Sequence, residues 1–332
     1  MKTHTLLTVP EATTLIEAGK VLALAGDEAL LAQLPKGNWI AGTIPYFIAN
    51  EGGTETRERL YATELTQVGA ADVEIKTYTI DTIKNIATDA PDNGYTIVIM
   101  PAKSAIHTEY ANNGRDYPEM FIKPIVGWVA GVHLDDLDRA VPKVVDGSAG
   151  AMLAAEAVAM HVTLPADRIA VIHILNLFRQ NPDGDVITFA ETGFSASTCL
   201  VNGMPTALAD YLAAHRLDLE LPLVADYNGA QINTSFQGVD PDGRTVHFYA
   251  PVFPGIEYRQ AAPVGDYVTE FEALAKGTHS DVHFSCNCIL NYLYGELRGR
   301  KTGDLYGPAT FGEVAYQLLN QTLVYLDVRP QA

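Results

Sequence analysis

The sequence predicts an α/β fold of the mixed, α+β kind: partly antiparallel sheets with helices packed on them, in two interlocked halves. Three observations predict it. Short apolar runs rich in Val, Ile, Tyr and Thr recur between Gly, Pro and Asp residues, as strands do. Between some of these runs lie segments with apolar residues three and four apart, the period of a helix face. The second half carries two strong hairpin signals, which a purely parallel, doubly wound sheet does not use.

In chain order, EATTLIEAG near the start is a helix, with Thr8 as N-cap, Glu11 at the capping-box spacing and Pro10 in the first turn. The runs 73–79 (VEIKTYT), 95–101 (YTIVIMP) and 124–132 (PIVGWVAGV) read as strands, and 80–90 (IDTIKNIATDA) between them as a helix. VAMHVTL and IAVIHILNLF read as apolar strands enclosing His161 and His173. TCLVNGMPT is a hairpin, because Asn202-Gly203 tolerates the positive φ angles of a tight turn. Residues 206–217 (TALADYLAAHRL) and 267–275 (YVTEFEALA) are helices. INTSFQGVDPDGRTVHFYAPV is two strands around Asp240-Pro241-Asp242-Gly243. A strand-rich stretch gives way near Pro205 to a helix and a second run of strands, so the halves are taken as 1–204 and 205–332.

Composition narrows the function classes. The 332 residues include 22 Lys+Arg against 40 Asp+Glu, a net charge of −18 that disfavours nucleic acid and anionic membrane surfaces as partners. Hydrophobic residues make up 48% and charged residues 19%, a balance that supports a buried core and argues against disorder. At roughly 100–200 residues per domain, the length suits two domains or one large intertwined unit. The N-terminus lacks the basic and apolar regions of a signal peptide, and no apolar run is long enough to span a bilayer. Three cysteines (Cys199, Cys286, Cys288) suit a reducing compartment better than a disulfide framework, so a cytoplasmic location is expected.

Most motifs that invite a chemical reading are incomplete. No GxGxxG follows a strand, and GSAG at 147–150 reads as a turn. GELRGRKTG at 295–303 lacks phosphate-loop spacing and reads as a solvated basic loop. GFSAS at 193–197 lacks the second Gly of a nucleophile elbow and reads as a β-bulge. DPDGR reads as a turn, and HLDDLD, with Asp135, Asp136 and Asp138, as an acidic loop without a ligand. His279, His283, Cys286 and Cys288 fall within ten positions, but strand alternation puts His283 and Cys286 on opposite faces, which makes one shared zinc awkward. His161 and His173 are candidate haem ligands, set against the plainer reading of hydrogen-bonded core histidines.

Residues 281–297 (DVHFSCNCILNYLYGEL), followed by 307–326 (GPATFGEVAYQLLNQTLVYL), resemble the closing signature of the FIST family of sensory domains. The matching elements are Phe284-Ser285-Cys286, Phe311-Gly312-Glu313 and Asn320-Gln321-Thr322, and LPKGNWIAGTIPYF at 34–47 loosely resembles the family's N-terminal stretch. The resemblance implies a non-catalytic module that binds a small molecule such as an amino acid or related metabolite. It also implies a haem-bound gas sensor as a variant, and a separate signalling protein as partner.

Read physically, Asn320 and Gln321 are amides that need hydrogen-bond partners when buried. Glu313 needs a cation, amide donors or solvent, and in a pocket it suits a ligand amine. Tyr46 beside Phe47, and Asn228 before Gly229, are loop residues able to line a cavity. With Cys286 and Asn287 of the matching strand, the ligand-binding candidates are Tyr46, Asn228, Cys286, Asn287, Glu313 and Asn320. The competing class is an enzyme with Cys286 or Cys288 as nucleophile, assisted by His283 or His279.

Overall fold

Glu11 closes the capping box that its spacing predicts. Its carboxylate accepts from the Thr8 N–H at 2.8 Å and from the Thr8 hydroxyl at 2.7 Å, and the helix runs Val9–Glu17 with Ala12 and Ile16 buried. The computed structural model describes residues 4–65, 72–227, 229–275 and 282–331. The helices Leu208–His215 and Tyr267–Ala275 also form as predicted. The stretch 80–90 does not form an α-helix: it is a 3₁₀ turn, Ile83–Asn85, flanked by further turns. Its backbone bonds are mostly of the tighter three-residue kind, from the Asn85, Ile86 and Ala90 N–H groups to the Thr82, Ile83 and Ala87 carbonyls, while Thr82 Oγ1 accepts from the Thr79 N–H and Thr88 Oγ1 donates to the Asn85 carbonyl.

The chain forms two compact units. One comprises Met1–Leu175, Ala275–Leu318 and Leu323–Ala332; the other comprises Asn176–Leu274 and Leu319–Thr322. The division does not fall at residue 204. Pro205 lies inside the strand Met204–Ala207, opposite Leu200, because the hairpin signalled by Asn202-Gly203 holds both of its strands in the second unit. Asn202 and Gly203 have φ of 49° and 81°, the left-handed pair that a tight turn demands.

Among the described residues, the first unit contains three mixed sheets, each with one parallel pair among antiparallel neighbours. In the first sheet, Leu22–Gly26 runs parallel to Trp39–Thr43, beside Leu60–Glu64 and His4–Leu7 on one side and Val144–Asp146 and Ala151–Leu153 on the other. In the second, Gly94–Pro101 runs parallel to Ile125–Ala130, with Ala157–Thr163 and Val73–Tyr78 beyond the former and Glu313–Ala315 beyond the latter. In the third, Val282–Cys288 runs parallel to Gly307–Thr310. That sheet joins distant parts of the chain: Ile48 pairs with Gly307 and Phe47 with Pro308, and the hairpin of Tyr46–Ala49 with Gly52–Glu55 forms its edge. The sheets approach closely at Gly42, where a Cβ would lie 2.7 Å from Ile99 and 2.8 Å from the Trp128 indole nitrogen.

Among the described residues, the paired strands of the second unit are antiparallel, in one sheet of six strands and one of three. Its core gathers Phe189, Leu208, Leu212, Phe236, Phe248 and Tyr258. The GFSAS stretch is a strand with a register shift between Gly193 and Ser195, the bulge that its glycine predicts. Among the described residues, no helix is long and apolar enough to cross a membrane.

Candidate functional site

The glycine pair in EGGTE creates the site. Gly53 sits so close to the segment 295–303 that a Cβ would lie 2.1 Å from the Leu297 carbonyl oxygen, and Gly52 adopts φ of 106° beside the Gly299 and Arg300 backbone. The glycines let that segment pair with the edge strand: Gly299 N–H donates to Gly53 O at 2.8 Å and Gly53 N–H to Arg300 O at 2.9 Å. The basic loop is therefore a strap, with Leu297 and Thr302 buried and Arg298 and Lys301 exposed. Its free-standing reading as a solvated loop is corrected by these two bonds, which have no counterpart in local sequence spacing.

On the face of the hairpin that carries Tyr46 and its cross-strand partner Glu55, five side chains converge. The Tyr46 ring stacks on His133 at 5.4 Å and meets Tyr292 edge-on at 5.6 Å. The Leu134 N–H donates to the Tyr46 hydroxyl at 3.1 Å. His133 Nδ1 accepts from the Asp135 N–H at 3.1 Å, so Nε2 carries a proton and donates to Glu55 Oε1 at 2.7 Å. Glu55 Oε2 lies 3.8 Å from Arg298 of the strap. Behind the cluster, Arg57 and Arg139 both pair with Asp136 at 2.6 Å, and the Arg57 hydrogen bond holds the Asp136 carboxyl below its usual range.

Tyr292 comes from the helix Ile289–Tyr294, which follows the matching strand. Its hydroxyl is buried without a hydrogen-bond partner among the described residues, and burial pushes its pKa up to about 12. Burial likewise raises Tyr46. Both phenols are thus protonated donors rather than nucleophiles. The arrangement offers a carboxylate for an ammonium group, a guanidinium for a carboxylate, and two aromatic walls.

A second polar cluster surrounds Gly127 and Trp128. Phe284 stacks on Trp128 at 5.7 Å, Glu313 is its cross-strand partner, and the Cys286 thiol donates to the Gly127 carbonyl at 3.3 Å. Asn287 Oδ1 accepts from the Cys288 N–H at 2.8 Å and from Asn291 Nδ2 at 2.9 Å. Cys286, Glu313 and Asn287 are all buried. Burial first, with the Glu313 and Cys288 charges added, raises the Cys286 thiol well above its usual range. A thiol so placed is a poor nucleophile.

A model of a family of unknown function, DUF6976, matches residues 7–329. The chain belongs to the DUF6976 family. Neither a curated protein nor a solved structure matches it.

In this DUF6976 chain, Cys286 and Glu313 come together at Gly127-Trp128, while Asn287, on the other face of its strand, bonds Asn291 of the helix whose next residue, Tyr292, meets Tyr46. Asn320 belongs to the second unit, where its Oδ1 accepts from the Ser235 N–H at 3.1 Å and from the Ser235 hydroxyl at 2.6 Å. Asn228 and His279 lie outside the described residues. Both His161 nitrogens are engaged, with Tyr78 and with Thr96 at 2.8 Å each. His173 stands on an edge strand, stacked on Tyr325 at 4.4 Å with Nε2 3.1 Å from Asp327.

Glu55, His133, Tyr292 and Arg298 were not singled out by sequence reasoning. The one signal for them is the pair of glycine-rich stretches, EGGTE and GELRGRKTG, whose glycines mark a close backbone approach.

Proposed function

We propose that the DUF6976 chain is a non-catalytic small-molecule-binding module of the FIST sensory type, whose ligand is an amino acid or a related metabolite. The site is the cluster of Tyr46, Glu55, His133, Tyr292 and Arg298. The observation that carries this reading is the Tyr292 hydroxyl, buried without a partner among the described residues, beside the Glu55 carboxylate that His133 orients. A buried donor left unpaired costs about 1–3 kcal/mol, which a ligand acceptor recovers. A zwitterion suits the charges: its ammonium meets Glu55 and its carboxylate meets Arg298. The non-catalytic reading is supported by the two protonated phenols and by the raised Cys286 thiol. The module acts in the cytoplasm and passes its signal to a separate protein.

A thermal-shift screen of the standard amino acids tests it. Ligand at about 100 times its Kd stabilises the folded state by about 2.7 kcal/mol, so a true ligand raises Tm by several degrees. Glu55→Gln and Tyr292→Phe abolish that rise while remaining folded. No rise with any amino acid at saturating concentration overturns the proposal.

A further inference from the structure

We propose that the groove on the opposite face of the same hairpin is a second binding site, for a neutral polyhydroxylated molecule such as a sugar or polyol. It lies in the first unit, between His4–Leu7 and Leu60–Glu64 on one side and the 46–55 hairpin on the other. Its volume is about 450 Å³, within the usual range for small-molecule sites. Consecutive cross-strand pairs point to opposite faces, so Thr54 and Phe47 face away from Tyr46 and Glu55.

The lining is hydroxyl-rich, with Thr5, Thr54, Thr56 and Tyr61, and with Glu51 and Arg59 exposed at the rim. The Tyr61 ring is fixed by stacking on Phe47 at 5.8 Å, and its hydroxyl is buried without a partner among the described residues. Burial raises its pKa well above the usual value, so it stays protonated.

The hydrogen-bonding capacity left over defines the ligand. Thr54 Oγ1 already donates to the Gly52 carbonyl at 3.1 Å and retains its acceptor lone pairs. Thr56 Oγ1 already accepts from the Glu58 N–H at 3.1 Å and retains its O–H. Tyr61 can both donate and accept. Walls of this kind are satisfied by groups that donate and accept at close spacing, which hydroxyls do and which carboxylates and ammonium groups do not. Glu51 can accept from two neighbouring hydroxyls and Arg59 can donate to two, while their opposite charges disfavour a ligand of either net sign.

Titration of glucose, trehalose and myo-inositol, with glycine alongside, monitored by saturation-transfer NMR, tests the proposal. At least one polyol binds saturably with a Kd of about 1 mM or tighter. Tyr61→Phe, which preserves the stack on Phe47, weakens it about tenfold or more, because a polar contact is lost in a buried wall. Arg59→Ala and Thr54→Val, both nearer the surface, weaken it as well and carry the test where Tyr61→Phe fails to fold. The inference is overturned by no saturable polyol binding, by binding undiminished in all three variants, or by glycine binding there in place of the polyols. The Tyr46 site plays no part in it, so amino-acid binding there can fail without touching this result.

Discussion

The Cys286 thiol donates to the backbone carbonyl of Gly127 at 3.3 Å, across two strands that are far apart in the sequence. Held there, fully buried and with Glu313 nearby, it stays a thiol at neutral pH. Iodoacetamide is therefore expected to label Cys286 slowly in the native protein, and peptide mass spectrometry should show the rate rising steeply in urea as the chain opens. Cys199, which burial raises to about 11, should behave alike. Rapid labelling of Cys286 in the folded chain would restore the nucleophile reading.

His161 and His107 give the stability a pH dependence. Burial lowers each from 6.5 to about 4. Between those values the folded chain holds both imidazoles neutral while the unfolded chain binds a proton at each. Stability therefore rises with pH across this window and is lost on acidification through it. Each histidine contributes up to about 3 kcal/mol to that change. Urea midpoints measured from pH 7 down to pH 4.5 should fall, and His161→Gln should flatten the slope. A midpoint that is constant or rises on acidification contradicts the assignment.

What was legible in the sequence was local. The Thr8–Glu11 capping box, the Asn202-Gly203 turn and the bulge at Gly193 each arise from a few adjacent residues whose backbone needs are specific. The stretch 80–90 departs from its helical apolar spacing because its backbone closes mostly three-residue turns, at Thr82–Asn85, Ile83–Ile86 and Ala87–Ala90. The convergence of Tyr46, Glu55, His133, Tyr292 and Arg298 has no spacing to read, since it depends on Ile48 pairing with Gly307 and on the strap meeting Gly53. Cys286 and Glu313 were picked out as residues, but their shared neighbour, Gly127-Trp128, is visible only once the strands pair.

In the second unit, Ser235 is the hub of a buried amide cluster. Its hydroxyl contacts both Asn320 Oδ1 and Gln321 Oε1, and Asn233 Nδ2 donates to the Asn320 and Gln321 carbonyls. The hydroxyl has one proton to share between these two oxygens, and Asn320 Oδ1 also accepts from the Ser235 N–H, so Ser235→Ala leaves Gln321 Oε1 without its Ser235 donor. It is expected to destabilise the protein by about 1–3 kcal/mol, the cost of a buried acceptor left unmet. Urea unfolding measures it; an unchanged midpoint would mean that the Gln321 oxygen finds another donor.

Gly53→Ala should undo the strap. The new Cβ would lie 2.1 Å from the Leu297 carbonyl oxygen and 2.6 Å from its carbon, and both are backbone atoms that cannot swing aside. Relief requires the strap to move off the edge strand, breaking the Gly299-to-Gly53 and Gly53-to-Arg300 hydrogen bonds. Two such bonds at about 1 kcal/mol each, with the packing of Leu297 disturbed as well, place the cost at about 2–4 kcal/mol. The loss is local before it is global, because the strap is held to the edge strand by few contacts of this kind. Trypsin should therefore cut after Arg298, Arg300 or Lys301 in the variant at concentrations that leave the parent intact. Gly193→Ala, where the nearest atom to a Cβ is 3.6 Å away, should change stability by less than about 0.5 kcal/mol and leave the strap protected. If Gly53→Ala keeps the parent's proteolysis pattern, the strap is not held by its contact with Gly53, and Arg298 loses its reason to stand beside Glu55.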